Sequence, residues 1–227
     1  YLYYEHLAKS ATTLFKKLYF KLESKLLKKQ ESSIDAFDGI AVIANNELAF
    51  FKTKATQVQW ISAFHAFDQV NIKLGFGEYC IYHGNLAVAE NESVAIYLCE
   101  HVFNHLEIPF IVAGKNPSKK LLDFQNEYIK IIANPSDEKL QELLQNAHIQ
   151  VMPSFQSVGM KLKLLHALFI GRFCITNDTM LVGTNISNGI IRANLTEEFR
   201  TKIIATMQEN FDNKRLAERI DILKDYN

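Results

Sequence analysis

The residues best suited to chemistry lie in one stretch, where a glycine precedes a helix with two lysines in its first turn. Gly159 ends a loop that runs into a predicted helix over 161–170, and this helix begins with Lys161 and Lys163. Free backbone N–H groups, the positive end of the helix dipole and two ammonium groups together favour a bound phosphate. On spacing alone, a second interpretation is favoured, in which both lysines are solvated and the helix packs on a sheet through its apolar residues. Those residues are Leu162, Leu165 and Phe169.

Histidines give weaker signals. His101 and His105 are four residues apart in a predicted helix, a spacing that can chelate zinc, but the sequence offers no third ligand nearby. His166 follows one turn after Leu162 and is either a packed residue or a ligand contact. The sequence lacks GxSxG, GxxxxGK[ST] and, after the first strand, GxGxxG. The sequence therefore gives none of the usual motif evidence for a hydrolase, a nucleoside triphosphatase or a dinucleotide-dependent dehydrogenase.

Composition excludes further classes of protein. The chain has 227 residues, 48% of them hydrophobic, and its 25 basic residues balance 25 acidic ones, unlike a dedicated nucleic-acid binder. No apolar run approaches the ~18 residues of a membrane-spanning helix, and no signal peptide is visible. Cys80, Cys99 and Cys174 are scattered, which is typical of buried thiols in a reducing compartment. We expect a soluble intracellular protein.

Positive charge is concentrated at the N-terminal end. Residues 1–30 carry seven lysines against two glutamates, a local net charge of +5, so the remainder of the neutral chain sums to −5. Leucines recur every four positions beside a parallel stripe of lysines: Leu14, Leu18, Leu22 and Leu26, and Lys17, Lys21, Lys25 and Lys29. This predicted helix either contacts an anionic membrane or an acidic partner, or packs through its leucines with the lysines solvated. The second is slightly favoured.

Regular alternation of strands and helices begins at Glu78. Strands are predicted at 78–83, 109–113, 128–132, 148–152 and 172–176, and helices at 89–106, 117–126, 136–146 and 161–170, with Ser136 as an N-cap. This alternation predicts an α/β domain with a doubly wound, Rossmann-like parallel sheet, whose ligands bind at the carboxyl ends of its strands. Upstream, strands are predicted at 39–44 and 56–61 and a linker at 62–77, and the tail 194–226 is predicted to be helical.

Four motifs follow one another along residues 78–183. They are Tyr82-His-Gly-Asn-Leu86 followed by Asn91, Phe110-Ile-Val-Ala-Gly-Lys-Asn-Pro117, Ala147-His-Ile-Gln-Val-Met-Pro153, and Gly159-Met-Lys-Leu-Lys-Leu-Leu-His-Ala-Leu-Phe-Ile-Gly171. As a set, they resemble the nucleotide-sugar-binding C-terminal domain of GT-B fold glycosyltransferases of the family-four, or group 1, type. Such enzymes retain the anomeric configuration of the sugar. The resemblance covers about half of the chain by motif.

The resemblance implies a donor site and names its residues. Nucleotide and diphosphate would be bound by Gly84, Asn85, Lys115, Asn134, Ser154, Gly159, Met160 and His166. Lys161 and Lys163 would act in catalysis by stabilising the charge that develops on the diphosphate leaving group. No bound metal or other cofactor is expected, because the nucleotide sugar is a substrate.

Two departures from the family pattern concern its paired glutamates. The corresponding positions are Val158 and His166, so neither carboxylate is present, and an imidazole lacks the paired acceptors that grip a ribose diol. Asn85 stands where a basic residue is usual. Either the chain is a divergent enzyme that relies on Lys161 and Lys163, or it is a non-catalytic domain kept for binding or assembly.

The resemblance also predicts a domain organisation. Residues 1–66 would be the trailing part of the acceptor-side domain, 67–211 the nucleotide-sugar-binding domain, and 212–227 a helix that crosses back toward the first domain. Since Tyr1 is no initiator methionine, we expect a piece of a longer protein, inactive on its own. The expected partners are a nucleotide-sugar donor and a glycan or lipid-linked acceptor, with membrane contact through the Lys17–Lys29 stripe and no nucleic acid. The expected location is the cytoplasm, at the inner face of the membrane if that contact exists.

Overall fold

The computed structural model of the protein describes residues 1–11, 13–156 and 162–226. These residues divide into an N-terminal unit, residues 1–61, and a larger unit that begins at Ser62. No helix in the described ranges is both long and apolar enough to span a bilayer.

The N-terminal unit contains a helical pair and a small parallel sheet. Its helices are α1 (Leu2–Ser10), α2 (Leu14–Gln30) and α3 (Leu48–Lys52), with 3₁₀ turns at Glu31–Ala36 and Asn45–Glu47. Its strands β1 (Ile40–Val42) and β2 (Val58–Trp60) pair in parallel, with Ile40 opposite Val58. The two strands predicted in this region are therefore confirmed.

Helices α1 and α2 pack against each other as an antiparallel pair. The hydroxyl of Ser24 donates to the carbonyl oxygen of Tyr1 at 3.3 Å, and the rings of Tyr4 and Phe20 lie 6.1 Å apart. The leucine row of α2 stays largely exposed in this pair. Its members are 52–88% exposed: Leu14, Leu18, Leu22 and Leu26. In the described part of the unit, the predicted packing through this row is therefore absent.

The larger unit is built on a six-stranded sheet. Its strands are β3 (Cys80–Asn85), β4 (Phe110–Lys115), β5 (Ile129–Ala133), β6 (Ile149–Val151), β7 (Phe173–Thr176) and β8 (Ile191–Arg192). All pairings are parallel, in the order β5-β4-β3-β6-β7-β8. The order reverses between β3 and β6, as in doubly wound Rossmann-like folds. The predicted fold class is confirmed.

Helices connect these strands. They are α4 (Ala89–Tyr97), α5 (Lys119–Leu122), α6 (Asp137–Asn146), α7 (Leu162–Ile170), α8 (Asp178–Leu181), α9 (Thr196–Thr206) and α10 (Asn213–Leu223). Strand residues such as Cys80, Ile81 and Val112 are fully buried, because a parallel sheet is covered on both faces. The three cysteines are buried free thiols, as predicted.

Several predicted helices are shorter or more broken than expected. The helix predicted over 89–106 is α-helical only to Tyr97, continues as a π-turn over Leu98–Val102, and ends in a 3₁₀ turn at Phe103–His105. Leu162 is half-exposed, at 51%, whereas Leu165 and Phe169, which were predicted to pack on the sheet with it, are fully buried.

The stretch predicted as a linker, 62–77, has no helix or strand but packs on the larger unit. The ring of Phe67 stacks on that of Phe169 at 5.4 Å, and the backbone N–H of Asn71 donates to the carbonyl of Phe169 at 2.8 Å. Helix α10 also packs on this unit, since the buried guanidinium of Arg219 donates to the carbonyls of Leu168 at 2.8 Å and Gly171 at 3.2 Å.

Candidate functional site

A pocket of about 330 Å³ opens where β3 and β4 end. It is lined by His83, Gly84, Asn85, Gly114, Lys115, Pro135, Asp137 and Leu140. In open α/β sheets, ligands bind at the carboxyl ends of the strands near the reversal of strand order. The pocket lies at that edge, next to the reversal between β3 and β6.

Two glycines shape the edge of this pocket. Gly84 and Gly114 are register partners in β3 and β4. A Cβ atom added to Gly114 would lie 2.0 Å from the carbonyl oxygen of Gly84. Any residue other than glycine would therefore clash with backbone at this position. At Gly84 it would lie 3.3 Å from Cγ of Asn91. The ends of both strands therefore present backbone rather than side chains, which suits close approach by a ligand.

The loops after β4 and β5 are tied to each other beside Lys115. Asn116 and Asn134 both have left-handed backbones, with φ of 52° and 51°, a conformation that asparagine tolerates better than most residues. The N–H of Asn116 donates to Oδ1 of Asn134 at 2.9 Å, and the N–H of Asn134 donates to the carbonyl of Gly114 at 2.8 Å. This arrangement fixes the rim that carries the exposed side chain of Lys115.

A lysine from α7 reaches the other side of the β3 end. Nζ of Lys163 donates to Oδ1 of Asn91 at 3.1 Å and to the Tyr82 hydroxyl at 3.4 Å, and lies 5.3 Å from the centre of the Tyr82 ring. The Asn91 amide in turn donates to the carbonyl of Asn85 at 3.0 Å. Burial, and then the negative charge of Glu90, raises the pKa of Tyr82, so its hydroxyl keeps its proton. These contacts connect β3, α4 and α7 around one cation.

Ser154 has a structural environment. It is fully buried, and its hydroxyl donates to a carboxylate oxygen of Glu90 at 2.8 Å. The Asn177 side chain accepts from its N–H at 3.0 Å and donates to its carbonyl at 2.7 Å. Ser154 therefore holds the loop after β6 against α4 and α8, and its hydroxyl is already engaged within the protein.

Apart from Ser154, the predicted site residues fall into three groups. Gly84, Asn85 and Lys115 line the pocket, and Asn134 lies in the adjoining loop. Lys163 and His166 approach the β3 end from α7, through Tyr82 and His83 respectively. Outside the described residues lie Val158, Gly159, Met160 and Lys161.

Two residues of this site were not predicted from the sequence. His83 is buried in β3, with its ring 5.4 Å from that of His166, and Glu90 binds Ser154 from the first turn of α4. His83 has a signal in the sequence, as a polar residue at the end of an apolar strand. Glu90 has none, because a glutamate in the first turn of a helix is ordinary.

The proposed zinc spacing does not form a site. His101 and His105 lie in the π-turn and 3₁₀ turn that follow α4, so they do not share one helical face. Within residues 1–11, 13–156 and 162–226, no three His, Cys, Asp or Glu side chains are grouped to hold a metal ion. His148, by contrast, is a buried structural histidine: its Nδ1 accepts from the N–H of Gly77 at 3.0 Å, and its Nε2 donates to the carbonyl of Thr206 at 2.9 Å.

Comparison with known proteins identifies the family. The model of the family described as "Glycosyl transferases group 1" matches residues 77–209, more than half of the chain. The chain belongs to this family. The candidate site residues, from Gly84 to His166, all lie within the matched range.

A curated relative and two solved structures are also similar to this chain. An uncharacterized 44.6 kDa protein in the cps region of Klebsiella pneumoniae is 23% identical over 96% of this chain and 64% of its own length. The chain thus spans less than two thirds of that relative. A TarM variant from S. aureus, in complex with fondaparinux, α-GlcNAc-glycerol and UDP, is 14% identical with a TM-score of 0.65 over 86% of this chain and 42% of its own. The GtfA/B complex is 15% identical with a TM-score of 0.61, over 87% and 44%. These likenesses show the GT-B fold.

Proposed function

We propose that the larger unit binds a nucleotide-sugar donor and that the protein transfers its sugar, with retention of configuration, to a glycan or lipid-linked acceptor. The observation that carries this proposal is the ammonium of Lys163, held at the end of β3 by Asn91 and Tyr82. It lies beside a backbone-lined pocket in a chain of the group 1 glycosyltransferase family. The UDP in the TarM complex supports the choice of ligand class.

Charge stabilisation is the role we assign to this lysine. When the sugar leaves a nucleotide diphosphate, negative charge develops on the diphosphate, and a cation already fixed at that point stabilises the transition state. Lys163 is fixed in this way, since two hydrogen bonds and the Tyr82 ring define its position. Lys161 is proposed to act beside it, and Lys115 to contact the base or ribose. A hexose is the proposed sugar, and no resident metal is part of the proposal.

A non-catalytic role is the second candidate. Its support is the residue type at two positions, because Val158 and His166 supply no carboxylate where the family has its paired glutamates. In this case the pocket would bind a nucleotide or nucleotide sugar without turnover, and the chain would serve binding or assembly.

Calorimetric titration with UDP, GDP and their sugar conjugates tests donor binding. We expect one nucleotide to bind, and Lys163→Met to weaken it by about ten- to a hundred-fold, because a hydrogen bond to a charged group contributes about 1.5–3 kcal/mol. Methionine keeps the apolar stem of the lysine and removes its charge. The matched control is Lys139→Met, an exposed lysine near the start of α6 that pairs with Glu142.

The outcomes separate the candidates. Loss of binding in Lys163→Met alone, with an unchanged circular dichroism spectrum, supports the donor site. Equal affinities of wild type and Lys163→Met would overturn it. If the wild type binds a nucleotide sugar but releases no nucleoside diphosphate when acceptors are added, the non-catalytic candidate is favoured.

We also propose that α2 contacts an anionic membrane surface. Its support is the exposure of the leucine row together with the neighbouring stripe of exposed lysines, Lys17, Lys21, Lys25 and Lys29. A helix with an apolar face and a basic face binds anionic lipid in two ways: it buries apolar area, and its positive charges attract the anionic headgroups. The consequence would be a cytoplasmic protein held at the inner face of the membrane, which co-sedimentation with anionic vesicles tests.

A further inference from the structure

Two histidines meet at the carboxyl end of the central strand. His83, in β3, is 6% exposed, and the centre of its ring lies 5.4 Å from that of His166 in α7, with the ring planes 80° apart. Nε2 of His83 is buried and has no hydrogen-bond partner among the described residues. A buried polar nitrogen without a partner is destabilising, so its presence calls for an explanation by function.

Both rings of this pair are largely buried, and an aromatic side chain packs beside them. The ring of Phe67 also packs against His166, with the ring centres 4.9 Å apart. Burial lowers the pKa of His166, and burial, then His166, then Lys163, lowers the pKa of His83 to about 3. Both rings are therefore neutral near pH 7 when no ligand is bound.

The charged and titratable groups around the pair come from three elements. Lys163 lies on α7, one turn before His166, Tyr82 precedes His83 in β3, and Glu90 lies on α4. The carboxylate of Glu90 accepts a hydrogen bond from Ser154. The charged groups that shift the pKa of His83 are His166 and Lys163, and both lower it. An anion that enters here meets one fixed cation and two imidazoles that can become cationic.

We propose that His83 and His166 form a proton-linked contact for the diphosphate of the donor, His166 touching the ligand and His83 acting as its positioning residue. This inference rests on the proposed donor site. On binding, the pair takes up one proton from solvent, which becomes an N–H bond of an imidazolium and adds positive charge beside Lys163. An opposite charge within about 4–6 Å favours the charged form of a histidine, so the bound diphosphate supplies the reason for uptake. The unpartnered Nε2 of His83 is then available as an acceptor for the N–H of the neighbouring imidazolium.

Calorimetry in two buffers of different ionisation enthalpy measures this uptake directly. The probe is the UDP- or GDP-sugar that binds the wild type, because its diphosphate has no monoester group that titrates near pH 6. We expect uptake of up to one proton per site between about pH 6 and pH 8, and an affinity that rises as the pH falls, by at most about tenfold per pH unit. His166→Gln should bind without uptake and with a flat pH profile. His105→Gln, at an exposed histidine, should behave as the wild type.

His83 requires a readout beyond affinity. In His83→Leu, a structural role alone would change stability and leave the pH profile of binding as it is in the wild type. The proposal expects a smaller proton uptake at the same pH, because the imidazolium of His166 loses its acceptor. If this variant does not fold, the His166→Gln profile still decides the matter.

The possible failures are distinct. Donor binding without proton uptake, or with the same uptake in His166→Gln, would overturn this inference and leave the donor site standing. Failure of every nucleotide sugar to bind the folded wild type would overturn both.

Discussion

Two helices with similar leucine spacing have opposite environments. In α7, Leu164, Leu165 and Leu168 are at most 1% exposed, whereas in α2 the members of the leucine row are at least half exposed. The difference does not come from the helices, since both have leucines on a helical period. It comes from what covers them: α7 follows β6 in a βαβ unit, which brings a helix back onto its sheet. Helix α2 contacts α1 through residues that include Phe20 and Ser24, and its leucine row stays at least half exposed.

The lysines of these helices differ in the same way. Lys163 is held by Asn91 and Tyr82, and its charge can serve one ligand at a fixed position. The lysines of the α2 stripe are exposed and spaced along the helix, so their charges act together on a surface rather than on one atom. The same pair of residue types thus underlies a proposed binding site in one helix and a proposed interaction face in the other.

Leucine truncation should separate the two helices most strongly. Leu165→Ala is expected to lower the free energy of unfolding by about 2–5 kcal/mol, because it removes a fully buried side chain and leaves a cavity. Leu22→Ala, at a leucine that is 58% exposed, should change it by no more than about 0.5 kcal/mol. Urea denaturation followed by circular dichroism measures the first. The fluorescence of Trp60, the one tryptophan of the chain, reports on the N-terminal unit for the second.

Methionine variants provide the control. Leu165→Met keeps most of the buried volume and should lower the free energy of unfolding by less than about 1.5 kcal/mol. Leu22→Met should leave the free energy of unfolding unchanged. A loss in Leu22→Ala as large as that in Leu165→Ala would mean that the leucine row is covered in solution, and the contrast between α2 and α7 would disappear.

This contrast also marks how far the sequence determines the fold. The five predicted strands of the larger sheet and its parallel pairing are confirmed, because fully buried strands between helices have an unambiguous apolar pattern. Strand β8 was not predicted, since two residues carry no periodicity. The π-turn at Leu98–Val102 was also not predicted, because all of its residues suit a helix and only tertiary contacts select the wider turn. The exposure of Leu22 also depends on tertiary contacts. Leucine spacing alone slightly favoured a packed row, which is wrong for this residue.

The candidate site was predictable where backbone geometry requires a residue type. Gly84 and Gly114 lie at a close approach of two strands, and glycine after a strand is visible in the sequence. The His83–His166 contact was not predictable, because 83 positions separate two residues that only the sheet and α7 bring together. The role of Ser154 as a partner of Glu90 depends likewise on a contact between distant segments. The roles given to Lys115, Asn134 and Lys163 in donor binding remain predictions.

Neutralising the α2 stripe should weaken binding to anionic vesicles. Each lysine near such a surface contributes about 1 kcal/mol, so changing Lys17, Lys21 and Lys25 together to Gln should reduce the partition coefficient by about a hundredfold at low salt. Vesicles of zwitterionic lipid, or high salt, should abolish the difference between variant and wild type. Co-sedimentation measures both.

A variant with the same change in net charge is the control. Lys119, Lys120 and Lys139 are exposed lysines of α5 and α6, and their change to Gln should leave vesicle binding as in the wild type. Equal weakening by both triple variants would indicate that net charge alone drives binding. The α2 face would then have no special role.

The smallest expected difference concerns the helix caps. Ser136 caps α6 by accepting from the N–H of Lys139 at 3.2 Å, and Thr13 caps α2 by accepting from the N–H of Lys16 at a longer 3.4 Å. Ser136→Ala should lower the free energy of unfolding by about 1 kcal/mol, and Ser136→Gly by only a few tenths. Since α6 is anchored by the buried side chains of Leu143 and Leu144, its cap contributes to the unfolding of the whole larger unit.

Thr13→Ala should destabilise the first turn of α2 by about 0.5 kcal/mol, the low end of the range for a cap, because the bond that it removes is long. Its effect should also take a different form. Helix α2 has its leucine row uncovered, so a weaker cap should fray the first turn rather than shift the cooperative transition. Hydrogen exchange distinguishes the two forms. In Thr13→Ala, exchange should become faster only at the N–H groups of the first turn of α2. In Ser136→Ala, exchange should become faster at the protected N–H groups throughout α6 and its neighbouring strands. A global response to Thr13→Ala would show that α2 is as firmly packed in solution as α7.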